Sequence, residues 1–153
     1  MIFKFTAEFL TKPMAQDWKD RLQESQEDVF ERSPEAQEIR ERLLAIGGGE
    51  VNVRGVVPAD IFRLLKRGEL WSGEKSNLVR MAPISCHQNS YVLWKAGKGD
   101  LVNGFSLTED GLWREHSWIV SNDKVLETTT PRVAYYGVIL TKDEILREYT
   151  RES

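Results

Sequence analysis

The chain is 153 residues long, with 41% hydrophobic residues, 29% charged residues and a formal net charge of -3, which fits one soluble globular domain and excludes a wholly disordered chain. Lys and Arg are not concentrated on an evident face, so no nucleic-acid partner is expected. No run is long and apolar enough to span a bilayer, and Met1-Ile2-Phe3-Lys4-Phe5 lacks the pattern of a secretory leader, so the expectation is a cytoplasmic protein with no membrane association.

In chain order, Pro13 precedes Met14, Trp18, Leu22 and Phe30 at mostly helical spacings among acidic residues, which predicts an amphipathic helix. Ser33-Pro34 restarts a helix, with Ser33 as N-cap and Pro34 as its first residue. Its apolar stripe is Ile39, Leu43, Leu44 and Ile46, and Gly47-Gly48-Gly49 ends it; no Lys-Ser/Thr follows, so this is not a phosphate loop. Val51-Asn52-Val53 predicts a short strand and Pro58 to Leu65 a short helix, while Gly68 to Pro83 has little periodicity and reads as a loop. From Leu101 the pattern turns to strands at 101–107, 112–120, 125–130 and 133–140, separated by turns that include Glu109-Asp110-Gly111 and Asn122-Asp123. Thr141-Lys142-Asp143-Glu144 has the form of a capping box and opens a final helix. The order predicts an α+β fold, with residues 1–49 a helical N-terminal segment packed on a core of residues 50–153.

The chemistry gathers at Cys86, the only cysteine, so no internal disulfide and no cysteine-built zinc site can form. Ser85-Cys86-His87-Gln88 also has capping-box form, placing Ser85 at an N-cap and Cys86 in a first helical turn. There the helix dipole and unpaired amides favour a thiolate, and the Cys86 N–H is an oxyanion donor. His116 is the candidate base and later acid. If Asn122-Asp123 is a two-residue turn, Trp118 faces Glu127, so His116 and Glu127 share a sheet face and the carboxylate can orient the imidazole; a three-residue turn would put Glu127 on the other face. Asn89, one turn after Cys86, either braces the sheet or assists an oxyanion. Trp118 either stacks beside the site or packs the core. His87 is expected at the rim, and Trp71, Trp94, Trp113 and Tyr91 in the core or at the rim.

Cys86 on a helix, His116 on a strand and Glu127 on the next resemble the papain-like superfamily in its broad sense, including transglutaminase-like hydrolases and cell-wall amidopeptidases. A closer resemblance is to small bacterial and phage proteins carrying Cys-x-x-Asn-Ala/Ser, Gly-Tyr/Phe, His-Ala/Ser-Trp, Asp/Glu-x-Thr and Tyr-x-Gly. The matching residues are Cys86, Asn89 and Ser90; Gly104 and Phe105; His116, Ser117 and Trp118; Glu127 and Thr129; Tyr135 and Gly137. The resemblance covers about residues 83–140 and implies a central cysteine-bearing helix on an antiparallel sheet of about four strands. Glu127 stands where Asp is commoner, and Arg80 occupies the position of the oxyanion Gln of papain-type proteases.

The expected function is a cysteine hydrolase acting on an amide or related acyl bond, with Cys86, His116 and Glu127 as a triad and Ser85, Gln88, Asn89 and Trp118 in support. Its partner is a protein, peptide or amide substrate, and no cofactor or metal is expected. The alternative is a non-catalytic phage or bacterial effector gripping a host protein through its acidic helical N-terminal region and aromatic residues. A metal hydrolase built on His87 and His116 is disfavoured, since their separation fits no short ligand motif.

Overall fold

The computed structural model describes residues 11–149; the pentapeptide judged above for a leader lies outside them. Helix α1 spans Gln16–Arg32 and α2 Pro34–Ile46, and Ser33 separates them as the sequence predicts: its hydroxyl accepts the Ala36 N–H at 3.1 Å. The chain continues through β1 (Glu50–Val51), α3 (Pro58–Arg67), β2 (Glu69–Ser72), a single 3-10 turn (Gly73–Lys75), β3 (Asn77–Leu78), α4 (Cys86–Lys95), β4 (Asp100–Leu107), β5 (Leu112–Ser121), β6 (Lys124–Glu127), β7 (Ala134–Ile139) and α5 (Lys142–Tyr149).

The strands form one seven-stranded sheet in the order β2-β7-β4-β5-β6-β3, with β1 attached to β5. The pairs from β4 to β7 are antiparallel, whereas β1 runs parallel to β5 and β3 parallel to β6. The architecture is therefore α+β, but the expectation of about four antiparallel strands is corrected to a larger, mixed sheet. The difference lies in short strands: β2 and β3 fall inside the segment expected to be a loop. Each is held by its neighbour's backbone, a tertiary effect that leaves no periodicity of its own.

Alternation along the strands sorts the core into two layers. One face of the sheet, with Leu101, Phe105, Leu107, Trp113, Ile119, Tyr136 and Val138, packs with Ile39 and Leu43 of α2, Leu64 of α3 and Ile145 of α5. Each such side chain contributes roughly 1.5–3 kcal/mol on burial, so α2 belongs to the central core. The other face gathers Trp71, Val102, Trp118, Val120, Val125 and Tyr135. Before the sheet, α1 and α2 are tied to β1 by polar contacts. Buried Gln26 donates to Val51 O at 2.8 Å and accepts from Val53 N–H at 2.6 Å, while Arg40 makes a two-pronged pair with buried Glu50 at 2.7 and 3.0 Å.

Candidate active site

Cys86 is the first residue of α4, and what precedes it is unusual. Ile84 has φ 61°, in the left-handed region that β-branched residues avoid, and its side chain is 99% exposed. Ser85 then has ψ 37°, not the extended backbone of the working cap Ser33, whose ψ is 98°. Its hydroxyl consequently donates back to Pro83 O at 3.3 Å, and Gln88 stays exposed. The expected Ser85–Gln88 capping box is thus corrected: neither side chain caps the helix. Among the described residues no acceptor takes the N–H of Cys86, His87 or Gln88, and Asn89 N–H is the first to find one, Ser85 O at 2.8 Å. Asn89 supplies the bracing. Its buried amide donates to Ala82 O at 2.8 Å and to Thr128 Oγ1 at 3.3 Å, which uses both of its hydrogens and leaves none for an oxyanion.

The hairpin that carries the other two residues follows the shorter of the two registers. Asn122 and Asp123 have φ 52° and 62°, a two-residue turn whose twist suits the strands, and Val120 pairs with Val125. Continuing that register sets Trp118 opposite Glu127, so His116 and Glu127 lie on one face of the sheet. Nε2 of His116 lies 2.7 Å from Glu127 Oε1, with both residues buried.

Glu127 is surrounded by donors. Oε1 also accepts the Tyr135 hydroxyl at 2.8 Å, and Oε2 accepts the Thr129 N–H at 2.9 Å and the Thr129 hydroxyl at 2.8 Å. Burial pushes its pKa up, but the His116 hydrogen bond and charge, with the Thr129 bonds, outweigh it and hold Glu127 at about 2. An ionised acceptor fixes Nε2 as the donor and leaves Nδ1 for the sulfur. The motif residues Thr129 and Tyr135 had no assigned role in the sequence; here they form the cage of the carboxylate. Their signal was the spacing Glu127-x-Thr129 and Tyr135-x-Gly137.

Cys86 is partly buried, and it lines the same cleft as His116. Burial raises its pKa, yet the neighbouring His116 imidazole, with the Ser117 backbone, outweighs it and lowers the pKa overall. His116 responds in kind: burial lowers its pKa, while Cys86 and Glu127 together raise it. The opposite shifts of the two groups favour thiolate and imidazolium, with Glu127 behind the ring. The influence of the Ser117 backbone on the sulfur is one that no residue-type pattern encodes.

Trp118 is fully buried and stacks beside His116, with ring centroids 6.0 Å apart and planes at 25°. Room for its indole comes from Gly137, where a Cβ would stand 2.7 Å from the Trp118 ring, and Gly137 pairs with Gly104, the cross-strand neighbour of His116. Trp71 meets the indole edge-on at 6.1 Å. Trp113 is buried in the other layer, while Tyr91 and Trp94 stack on each other at its margin. His87 turns away from the sulfur. Its Nδ1 meets the Ser117 hydroxyl, and it lines a separate hollow with Gln88, Asn103, Glu148 and Tyr149. Desolvation and the nearby His116 depress its pKa.

Over Cys86 opens a cleft of about 800 Å³ lined by Cys86, His116 and Thr129, by Met81, Pro83 and Ile84, and by four charged side chains: Arg80, Arg114, Arg132 and Glu115. Among the described residues no cluster of three or more His, Cys, Asp or Glu is arranged to hold a metal, and no helix is long and apolar enough to cross a membrane. No protein-family model, curated protein or solved structure matches the chain.

Proposed function

We propose that this chain is a thiol hydrolase that cleaves an amide or related acyl bond through Cys86, His116 and Glu127. The observation that carries the reading is His116, held by Glu127 at 2.7 Å and sharing with Cys86 the wall of a cleft large enough for a substrate segment. The Cys86 thiolate attacks the acyl carbon, a C–S bond forms, and the carbonyl oxygen takes the negative charge beside the unclaimed Cys86 N–H. Collapse breaks the C–N bond, and the amine leaves with the proton of the His116 imidazolium. Neutral His116 then takes a proton from water, whose oxygen attacks the thioester. The C–S bond breaks, returning thiolate and imidazolium and releasing the acid.

The direct test is alkylation by iodoacetamide near neutral pH, read by mass spectrometry with Cys86→Ala as the blank. Cys86 is expected to react roughly tenfold or more faster than glutathione, because its thiolate fraction is larger. Incubation with an activated ester such as p-nitrophenyl acetate is expected to leave an acyl group on Cys86. A thiol no faster than glutathione, with no acyl adduct, would sink the reading.

A further inference from the structure

The cleft is electrostatically lopsided. Of its three arginines, Arg114 is committed, at 2.8 Å from Asp110. Arg132 is held only by uncharged oxygens: Ser106 Oγ at 3.1 Å, Thr129 Oγ1 at 3.4 Å and the Thr130 hydroxyl. These bonds fix the guanidinium plane without neutralising it, and they use three of its five hydrogens. Thr129 is the same residue that donates to Glu127, so Arg132 is registered to the triad through one side chain. Arg80, exposed on the loop before α4, makes no ion pair among the described residues. Against these two uncommitted cations stands one carboxylate, Glu115.

We propose that the cleft selects an acyl substrate bearing a single carboxylate close to the bond that is cut, with Arg132 as the fixed clamp and Arg80 as its mobile partner. The inference rests on the thiol-hydrolase reading above and deepens it to a substrate class. A planar guanidinium with spare hydrogens suits a carboxylate's paired oxygens. On the cleft wall outside the triad, the surplus of one positive charge matches one carboxylate better than a dianionic phosphate. In a cleft with low-dielectric walls this surplus raises the local concentration of small anions.

The test needs no knowledge of the natural substrate. Cys86 is alkylated by iodoacetate, which carries a carboxylate, and by neutral iodoacetamide, and the ratio of the two rate constants is compared with the ratio for glutathione. The wild-type ratio is expected to exceed that of glutathione by roughly tenfold at low salt and to shrink as ionic strength rises. Arg132→Gln and Arg80→Gln are each expected to lower it severalfold. Arg80→Gln guards the test against a folding defect in Arg132→Gln, since Arg80 is exposed and its side chain makes no hydrogen bond or ion pair among the described residues. Arg21→Gln, on the exposed face of α1, leaves the ratio at the wild-type value. N-acetylglycine, which carries one carboxylate beside its amide, but not the neutral N-acetylglycinamide, is expected to protect Cys86 from iodoacetamide.

Rapid iodoacetamide reaction with a glutathione-like ratio would overturn the carboxylate clamp while leaving the hydrolase reading intact. A high ratio untouched by both variants would assign the preference to the His116 imidazolium and overturn the clamp as well. Stronger protection by inorganic phosphate than by N-acetylglycine would overturn the single-carboxylate class. A thiol slow toward both reagents would overturn the hydrolase reading and this inference with it.

Discussion

Two helices of this protein begin with the same sequence signature and are built differently. At α5, Thr141 and Glu144 close a reciprocal box: Thr141 N–H donates to Glu144 Oε1 at 2.8 Å, and Glu144 N–H to Thr141 Oγ1 at 3.2 Å. Arg67 and Arg63 grip the same carboxylate, at 3.0 and 3.1 Å, and Glu144 is held at about 2 with the Arg67 hydrogen bond as the first cause. At α4 the matching Ser85 and Gln88 leave the helix start uncapped, and Cys86 sits there instead. One helix end is fastened for stability. The other leaves its first amides without a side-chain cap, at the expense of about 1 kcal/mol that a cap would have contributed.

The largest expected effect breaks the α4 side outright: Cys86→Ala abolishes iodoacetamide labelling and any acyl transfer while its thermal unfolding stays cooperative, both readable on one preparation. Next comes Glu127→Ala. It strands the donors of His116, Tyr135 and Thr129 in a buried site, and urea denaturation is expected to show a loss of about 3 kcal/mol.

Acid works on the same group. The Glu127 pKa is depressed in the folded state, so its contribution is complete above the ordinary carboxylate value and is lost as pH falls through that value toward about 2. Stability measured down this range should fall, and less so in Glu127→Gln.

A third effect concerns the thiol's titration. In the wild type the pH profile of alkylation has its midpoint below the ordinary thiol value of about 8.5, since Cys86 is lowered against its own burial chiefly by His116. In His116→Gln that support is gone, burial prevails, and the midpoint rises to or above the ordinary value.

The smallest pair is the sharpest on the comparison itself. Thr141→Ala is expected to cost about 1 kcal/mol as a lost cap. Ser85→Ala, whose hydroxyl caps nothing, should stay within about 0.5 kcal/mol. Equal losses at the two positions would mean that Ser85 caps α4 in solution.

Much of the site was legible because local chemistry dictates it. Asn122-Asp123 accepts positive φ at both positions, and that turn alone determines that Glu127 shares a face with His116. The strands from Leu101 onward and the caps at Ser33 and Thr141 are likewise written in short-range pattern. What escaped is non-local. β1 joins β5 in parallel and β3 joins β6 in parallel, pairings with no connecting turn to announce them. The Ser85 box failed because the backbone at Ile84 and Ser85 overrides what the residue types prefer. The charged cleft draws Arg80, Arg114 and Arg132 from three distant stretches, and only the folded sheet collects them.

Glu127, with each of its oxygens already receiving two hydrogens, is saturated as an acceptor. It is therefore a permanent counterion and not a station for protons. The mobile proton inventory of the centre shrinks to one, shared by sulfur and imidazole, so in the proposed hydrolysis every turnover must hand that single proton out and recover it from water before another can begin.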